Sequence, residues 1–262
     1  MKEYKYSANY DYPLLAELYD HFENFDDDIQ FIRSLIKDYK TQNILELFSG
    51  TGRILMPLAE DGHLVTGIEI AKSMNDRALL KIKDLNEKVT DRITLKNQDV
   101  LDGFWGTEYD LIIIGNNGLY ELPSAELQEK VIGYSYEALK SGGRLYIDCS
   151  DYKGDWGESE VGKQLVIFEG TGTDQSYGKY TAEGLMYDYD NNALHTKRTW
   201  FQRTKNGESY IEYLSSKHPL SAKEIEGWLN KYNFQIIGLF GSRNGEKYSK
   251  ESDRTIFWAE KK

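Results

Sequence analysis

Asn43-Ile44-Leu45-Glu46-Leu47-Phe48-Ser49-Gly50-Thr51-Gly52-Arg53 joins an apolar run to a tight glycine turn and the start of a helix. The run through Phe48 suits a central parallel strand, covered on both faces. Gly50 and Gly52 let the backbone approach a ligand where a side chain would collide, so the segment reads as a nucleotide-cofactor loop. Further strand ends follow in order. His63-Leu64-Val65-Thr66-Gly67-Ile68 closes on Glu69, a third strand ends at Asp99, and a fourth runs into Asn116 and Asn117. Taken singly, Glu46, Glu69 and Asp99 could be ordinary strand-end or turn residues. Open α/β sheets bind ligands outside the carboxyl ends of their strands, and acids at successive ends fit that place.

Glu69 lies nineteen residues beyond Gly50. In dinucleotide-binding sheets an acid about 20 residues on meets the ribose hydroxyls, so this spacing leaves NAD and other adenosine cofactors open. The loop discriminates between them. A dinucleotide fingerprint needs a third Gly or Ala to admit the pyrophosphate, and here Leu55 stands in that position. A cofactor without a pyrophosphate fits better.

Several segments, in order, resemble the class I S-adenosylmethionine-dependent methyltransferases. Glu46 through Gly52 resembles the family's first motif, Glu69 its ribose acid, and Asp99 in Lys96-Asn97-Gln98-Asp99-Val100 its adenine-side acid. Tyr109-Asp110-Leu111-Ile112-Ile113-Ile114 resembles the strand before the transfer site. Ala138-Leu139-Lys140, Ser141-Gly142-Gly143 and the strand Arg144 to Asp148 resemble the segment that follows it. The resemblance covers about Tyr12 to Asp148, and Ser221 to Lys262 fits the family's last helix and two strands. It implies S-adenosyl-L-methionine as cofactor, with Glu46, Phe48, Gly50, Gly52, Glu69, Ile70, Met74, Asp99, Val100 and Asn116 at its site; Ile70 and Val100 would sandwich the adenine. The segment Leu14 to Asp20 and a later four-stranded insertion resemble the small-molecule N-methyltransferases, including the amino-sugar N,N-dimethyltransferases. In that group a pair like Tyr19-Asp20 sits over the methionine end. Some members carry a histidine near the position of Tyr120, and its replacement here argues against a histidine general base.

Leu14, Leu15, Leu18, Tyr19 and Phe22, then Ile29, Ile32, Leu35 and Ile36, recur at helical spacing and predict two helices before the first strand. A helix is expected from Ile54 to Glu60 with Gly62 as its stop, another over about Lys72 to Asn86, and a third capped by Ser124 and ending near Lys140. Past Asp148, strands are expected at Gln164–Gly170, Tyr180–Tyr189, Ala193–Gln202 and Ser209–Lys217, with hairpin turns at Asp190-Asn191-Asn192 and Lys205-Asn206-Gly207. Ser221-Ala222-Lys223-Glu224 is a capping box before another helix, and Phe234–Phe240 and Thr255–Glu260 read as an antiparallel pair. The pattern predicts an α/β fold: a doubly wound, Rossmann-like sheet with an antiparallel β insertion after the fifth strand. One domain is expected, with a helical cap at 1–40, the cofactor core at 41–150, the insertion at 151–218 and closing elements at 219–262.

With 32 basic and 43 acidic residues the net charge is −11, which disfavours a nucleic-acid partner. The Asn/Asp-Pro-Pro-aromatic motif of adenine and cytosine N-methyltransferases is absent; Asn116-Asn117-Gly118-Leu119-Tyr120 stands there. The single cysteine, Cys149, excludes an internal disulfide, and His21, His63, His195 and His218 show no zinc-ligand spacing, so no metal is expected. Met1-Lys2-Glu3-Tyr4-Lys5-Tyr6 lacks the apolar core of a signal peptide and no run approaches a membrane span; a cytoplasmic enzyme is the expectation.

Methyl transfer from a sulfonium needs positioning more than dedicated catalytic groups. The candidates are Tyr19, Asn117 and Tyr120, beside a small-molecule acceptor methylated at nitrogen, less securely at oxygen. Twenty tyrosines, with Tyr4, Tyr6, Tyr10 and Tyr12 near the amino terminus, could supply a cation-attracting wall, although most suit strands and core. His195 reads as a strand histidine ahead of a base. The inserted sheet offers a homodimer surface. An NAD-type oxidoreductase and a non-catalytic nucleoside-binding protein remain the alternatives.

Overall fold

The computed structural model describes residues 10–152 and 159–262. Tyr4, Tyr6 and the leader reading of Met1 to Tyr6 lie outside them. Helices α1 (Pro13–Phe22) and α2 (Asp27–Ile36) precede strand β1 (Asn43–Leu47). Pro13 opens α1, where its missing N–H would have had no partner, and Asp27 and Asp28 sit at the positive end of α2. The glycine loop then leads into α3 (Leu55–Glu60), and Gly62 turns the chain at φ +102°.

Strands β2 (Leu64–Glu69), β3 (Ile93–Asn97), β4 (Tyr109–Ile114) and β5 (Leu139–Ser150) join β1 in parallel. Strand β11 (Arg254–Lys261) pairs antiparallel with β5, and β10 (Phe234–Phe240) pairs antiparallel with β11 to close the edge, in the order β10-β11-β5-β4-β1-β2-β3. Ile44, Leu45, Ile112 and Ile113 are fully buried because helices cover both faces, which is why these strands are continuously apolar. The order reverses direction beside β1, and the reversal opens the crevice in which such sheets bind ligands.

Two helix boundaries differ from expectation. Helix α4 (Lys72–Ile82) stops short of Asn86, because the Asn86 side chain accepts from the Lys88 N–H and starts a separate turn, α5 (Glu87–Thr90). Helix α6 (Ala125–Ala138), capped by Ser124, ends before Lys140: Leu139 is already extended and pairs with Tyr109 of β4.

A second sheet holds β6 (Gln164–Thr171), β7 (Tyr177–Asp188), β8 (Ala193–Thr204) and β9 (Gly207–Lys217), antiparallel throughout. Its turns fall at Asp190-Asn191-Asn192 and Lys205-Asn206-Gly207, with Asn192 at φ +49° and Gly207 at φ +122°. Phe168, Tyr180 and Trp200 of this sheet pack on Leu14, Leu15 and Leu18 of α1, so the insertion and the first helix form one wall. No helix among the described residues is long and apolar enough to cross a membrane.

Helix α7 (Ala222–Lys231) returns the chain to the main sheet through the expected capping box: the Glu224 N–H donates to Ser221 Oγ at 3.3 Å and the Ser221 N–H donates to Glu224 Oε2 at 3.1 Å. Replacing Ser221 by Ala orphans a first-turn N–H and should cost about 1 kcal/mol. Thermal unfolding should show the midpoint fall by about 2–4 °C for a chain of this size.

Candidate active site

A cavity of about 270 Å³ opens at the carboxyl ends of β1, β2 and β4. The strand-end loops form its floor, and α1 with the inserted sheet forms its roof. The loop after β1 turns left-handed three times, at Phe48 (φ +58°), Gly50 (φ +52°) and Gly52 (φ +80°). For Phe48 that conformation is strained. Its ring lies on the backbone of Gly118, where an added Cβ would come within 2.8 Å of the ring. Gly52 does not line the cavity; a Cβ there would meet Met56 at 2.8 Å, so it serves the turn.

Glu69 is held from both sides. The Gly50 N–H donates to Oε2 at 3.0 Å and the Ala71 N–H to Oε1 at 2.8 Å. Burial pushes its carboxyl up to about 7, against the pull of those two donors. Each oxygen keeps a lone pair for a ligand. Glu46 is also buried, and burial pushes it up to about 8, although Arg53 draws it down. Its Oε2 has no hydrogen-bond partner among the described residues. Arg53 itself is committed to Asp28, at 2.5 Å and 2.7 Å, and to the Phe25 carbonyl at 2.8 Å.

Ile70, Met74, Asp99 and Val100 all line the cavity, with Phe48, Gly50, Glu46, Glu69 and Asn116. Asp99 also caps a short 3₁₀ turn, accepting from the Leu101 N–H at 2.8 Å. Asn117 lines it too, but its Oδ1 accepts from the Ser150 N–H at 2.6 Å, tying the ends of β4 and β5 together. Tyr19 reaches in from α1, its hydroxyl meeting the Asn116 side chain, and burial raises its pKa above the ordinary value.

Two expected placements are corrected. Tyr120 is outside the lining: its hydroxyl donates to the Ser150 carbonyl at 3.1 Å and accepts from the Leu220 N–H at 3.2 Å, joining β5 to the approach of α7. Asp20 turns away from Tyr19 and binds Thr51, Arg77 and Lys81 instead. His195, 3.8 Å from Asp188, is likewise outside the cavity, and so is Tyr12, stacked on Trp200.

Sequence reading missed Glu23, Phe168 and Lys217 from the roof and Glu121 from the turn after β4. Lys217 ends β9 and its ammonium lies 3.7 Å from Glu121. Burial lowers the Lys217 pKa and Glu121 opposes that shift. Charges at a loop and at a strand end carry no periodic signal, so only the folding of the insertion over the sheet identifies them. Leu55 is fully buried where a dinucleotide loop needs a small residue, and a Cβ on Gly67 would meet it at 2.8 Å. Among the described residues there is no group of three His, Cys, Asp or Glu that could hold a metal ion.

Residues 45–145 match the family model of a methyltransferase domain. A protein of Geobacillus sp. (strain WCH70), whose name proposes a methyltransferase, is 27% identical over 261 residues, covering 95% of this chain and 99% of that one. Among solved structures, an S-adenosylmethionine-dependent methyltransferase from Clostridium acetobutylicum superposes with a TM-score of 0.74 at 16% identity, over 94% of this chain and 97% of the other. The sugar N-methyltransferase KedS8 from Streptoalloteichus sp. superposes with a TM-score of 0.69 at 15% identity, over 93% and 92%. The family model stops at residue 145, whereas the relative and the two solved structures match over nearly the whole chain.

Glu46 and Glu69 hold protons in the folded chain that an unfolded chain gives up near pH 4.5. The folded state therefore binds more protons across this window, and stability falls as pH rises from about 4.5 through the folded values of about 7 and 8. Ligand-free unfolding followed across that range should show the decline, and Glu46→Gln should flatten its upper part. A wild-type midpoint that rises over the same range would contradict the assignment.

Proposed function

We propose that this chain, whose residues 45–145 match a methyltransferase-domain model, is an S-adenosylmethionine-dependent methyltransferase and that its acceptor is a small-molecule amine. The observation that carries the reading is the cavity itself, which is lined by the clamped Glu69 together with Tyr10, Tyr19, Phe168 and Glu121. The residues suit the cofactor. Glu69 accepts from the ribose hydroxyls, Ile70 and Val100 flank the adenine, and the unpartnered Glu46 Oε2 accepts from the amino-acid ammonium. When bound, the cofactor supplies an electrophilic methyl group on a sulfonium.

The chain does the rest by placement and exclusion of water. Glu121 and the faces of Tyr10, Tyr19 and Phe168 attract the acceptor as an ammonium, at about 0.5–2 kcal/mol per aromatic contact, and the amine gives up its proton to water before its lone pair attacks the methyl group. Tyr19 and Asn116 orient the amine toward the methyl-bearing end. The sugar N-methyltransferase KedS8 shares this architecture, which favours nitrogen as the acceptor atom. The helical cap at 1–40, core at 41–150, insertion at 151–218 and closing elements at 219–262 then act as one catalytic domain.

Calorimetry with S-adenosylmethionine, S-adenosylhomocysteine and NAD in parallel tests the cofactor; binding of the first two and not the third is expected. Glu69→Ala should weaken S-adenosylmethionine roughly 10- to 100-fold, the loss of charged hydrogen bonds worth about 1.5–3 kcal/mol. A screen of amines and alcohols by S-adenosylhomocysteine release should return amines, and Tyr19→Phe should then lower turnover more than cofactor affinity. Turnover of alcohols alone would replace the nitrogen reading with oxygen.

A further inference from the structure

We propose that Arg243, in the connection between β10 and β11, is a positioning residue for the cavity: with Glu23 on the other side, it fixes the place and orientation of the Asn116 amide. The inference rests on the cofactor reading above. Arg243 is far from the glycine loop in sequence and does not line the cavity, yet all three of its guanidinium nitrogens are used beside it. Nε donates to Asp148 Oδ2 at 2.9 Å, Nη1 to Asp27 Oδ1 at 3.0 Å and Nη2 to Asn116 Oδ1 at 3.2 Å. The plane also rests 4.8 Å over the Phe25 ring, and Asp28 lies 3.8 Å from Nη2. Asp148 is fully buried and shared with Arg254, whose Nε donates to it at 2.7 Å, so the fork is locked in place from the sheet.

An amide has an acceptor end and a donor end of nearly the same shape, and only its partners choose between them. A guanidinium has donors only. Facing Arg243, Asn116 must present Oδ1, so Nδ2 is left for Glu23 at the end of α1, where it donates to Oε2 at 3.0 Å. With the amide reversed, the guanidinium would face a donor and the Glu23 carboxylate an oxygen. The left-handed backbone at Asn116 (φ +42°) brings the side chain to both partners but does not select which end faces which. Arg243 and Glu23 make the selection together, and Arg243 in doing so joins the last sheet hairpin to the end of the helix that roofs the site.

The test is a double-mutant cycle on S-adenosylhomocysteine affinity, by calorimetry on the full chain, with Arg243→Met and Asn116→Ala. Each single variant is expected to weaken binding about tenfold, and the double variant to be no weaker than the worse single one, because both remove the same interaction. Arg243→Lys keeps a positive charge against Asp148 but lacks the fork, and should lose as much affinity as Arg243→Met. Unfolding midpoints of ligand-free Arg243→Lys and Asn116→Ala should stay near wild type, which separates lost orientation from a loosened fold. Additive losses of about a hundredfold, unchanged affinity in Arg243→Met, or full rescue by Arg243→Lys would each overturn the proposal. A wild-type chain that binds neither S-adenosylhomocysteine nor S-adenosylmethionine would fail at the cofactor reading, before any variant is compared, and the proposal would fall with it.

Discussion

The cavity depends on a main chain that turns left-handed as it leaves two adjacent central strands. After β1 the positive-φ residues are Phe48, Gly50 and Gly52; after β4 they are Asn116 and Asn117. Each turn stops the strand abruptly and points N–H groups or short polar side chains across the crevice. Gly50 can direct its N–H to Glu69 because no side chain intervenes. Phe48 pays for its strained backbone with a ring seated on Gly118, so the two loops hold each other. Asn is among the few side chains that tolerate this region, and Asn117 uses its amide to brace the end of β5.

Charge is the second constraint. Glu46 and Glu69 are buried where ionisation is costly, and their raised pKa values express that cost. A cationic ligand offering hydrogen bonds would relieve it. Behind the acids, Arg53 and Arg243 are neutralised by Asp28, Asp27 and Asp148, so positive charge is brought close to the cavity and kept from filling it. Pairs so enclosed add little net stability, but they place side chains with narrow tolerance. Asn116 receives its geometry from this framework.

The parallel sheet, the glycine loop, the acids at Glu69 and Asp99, the inserted hairpins and the capping box at Ser221 were legible from residue pattern. They depend on local rules: strand periodicity, turn chemistry and the distance from a glycine to the next strand end. The helix boundary at Ile82 was missed because Asn86 competes locally for the backbone, a contest that apolar spacing does not register. Tyr120 and Asp20 were misplaced because adjacency in sequence to Asn117 and Tyr19 says nothing about which side of a turn a side chain takes.

The sequence by itself determined the fold class, the glycine loop and the acids that line the cavity, because those features are encoded within spans of a few tens of residues. Tertiary structure alone decided the roof of the site and its wiring. Glu23, Glu121, Phe168 and Lys217 meet only because the inserted sheet packs on α1 through Phe168, Tyr180 and Trp200. Arg243 reaches Asn116 only because β11 pairs with β5 and carries the connection over the end of β4. Such contacts join segments whose separation in the chain has no periodicity, and hydrogen-bond polarity between them exists only once the partners are fixed in space.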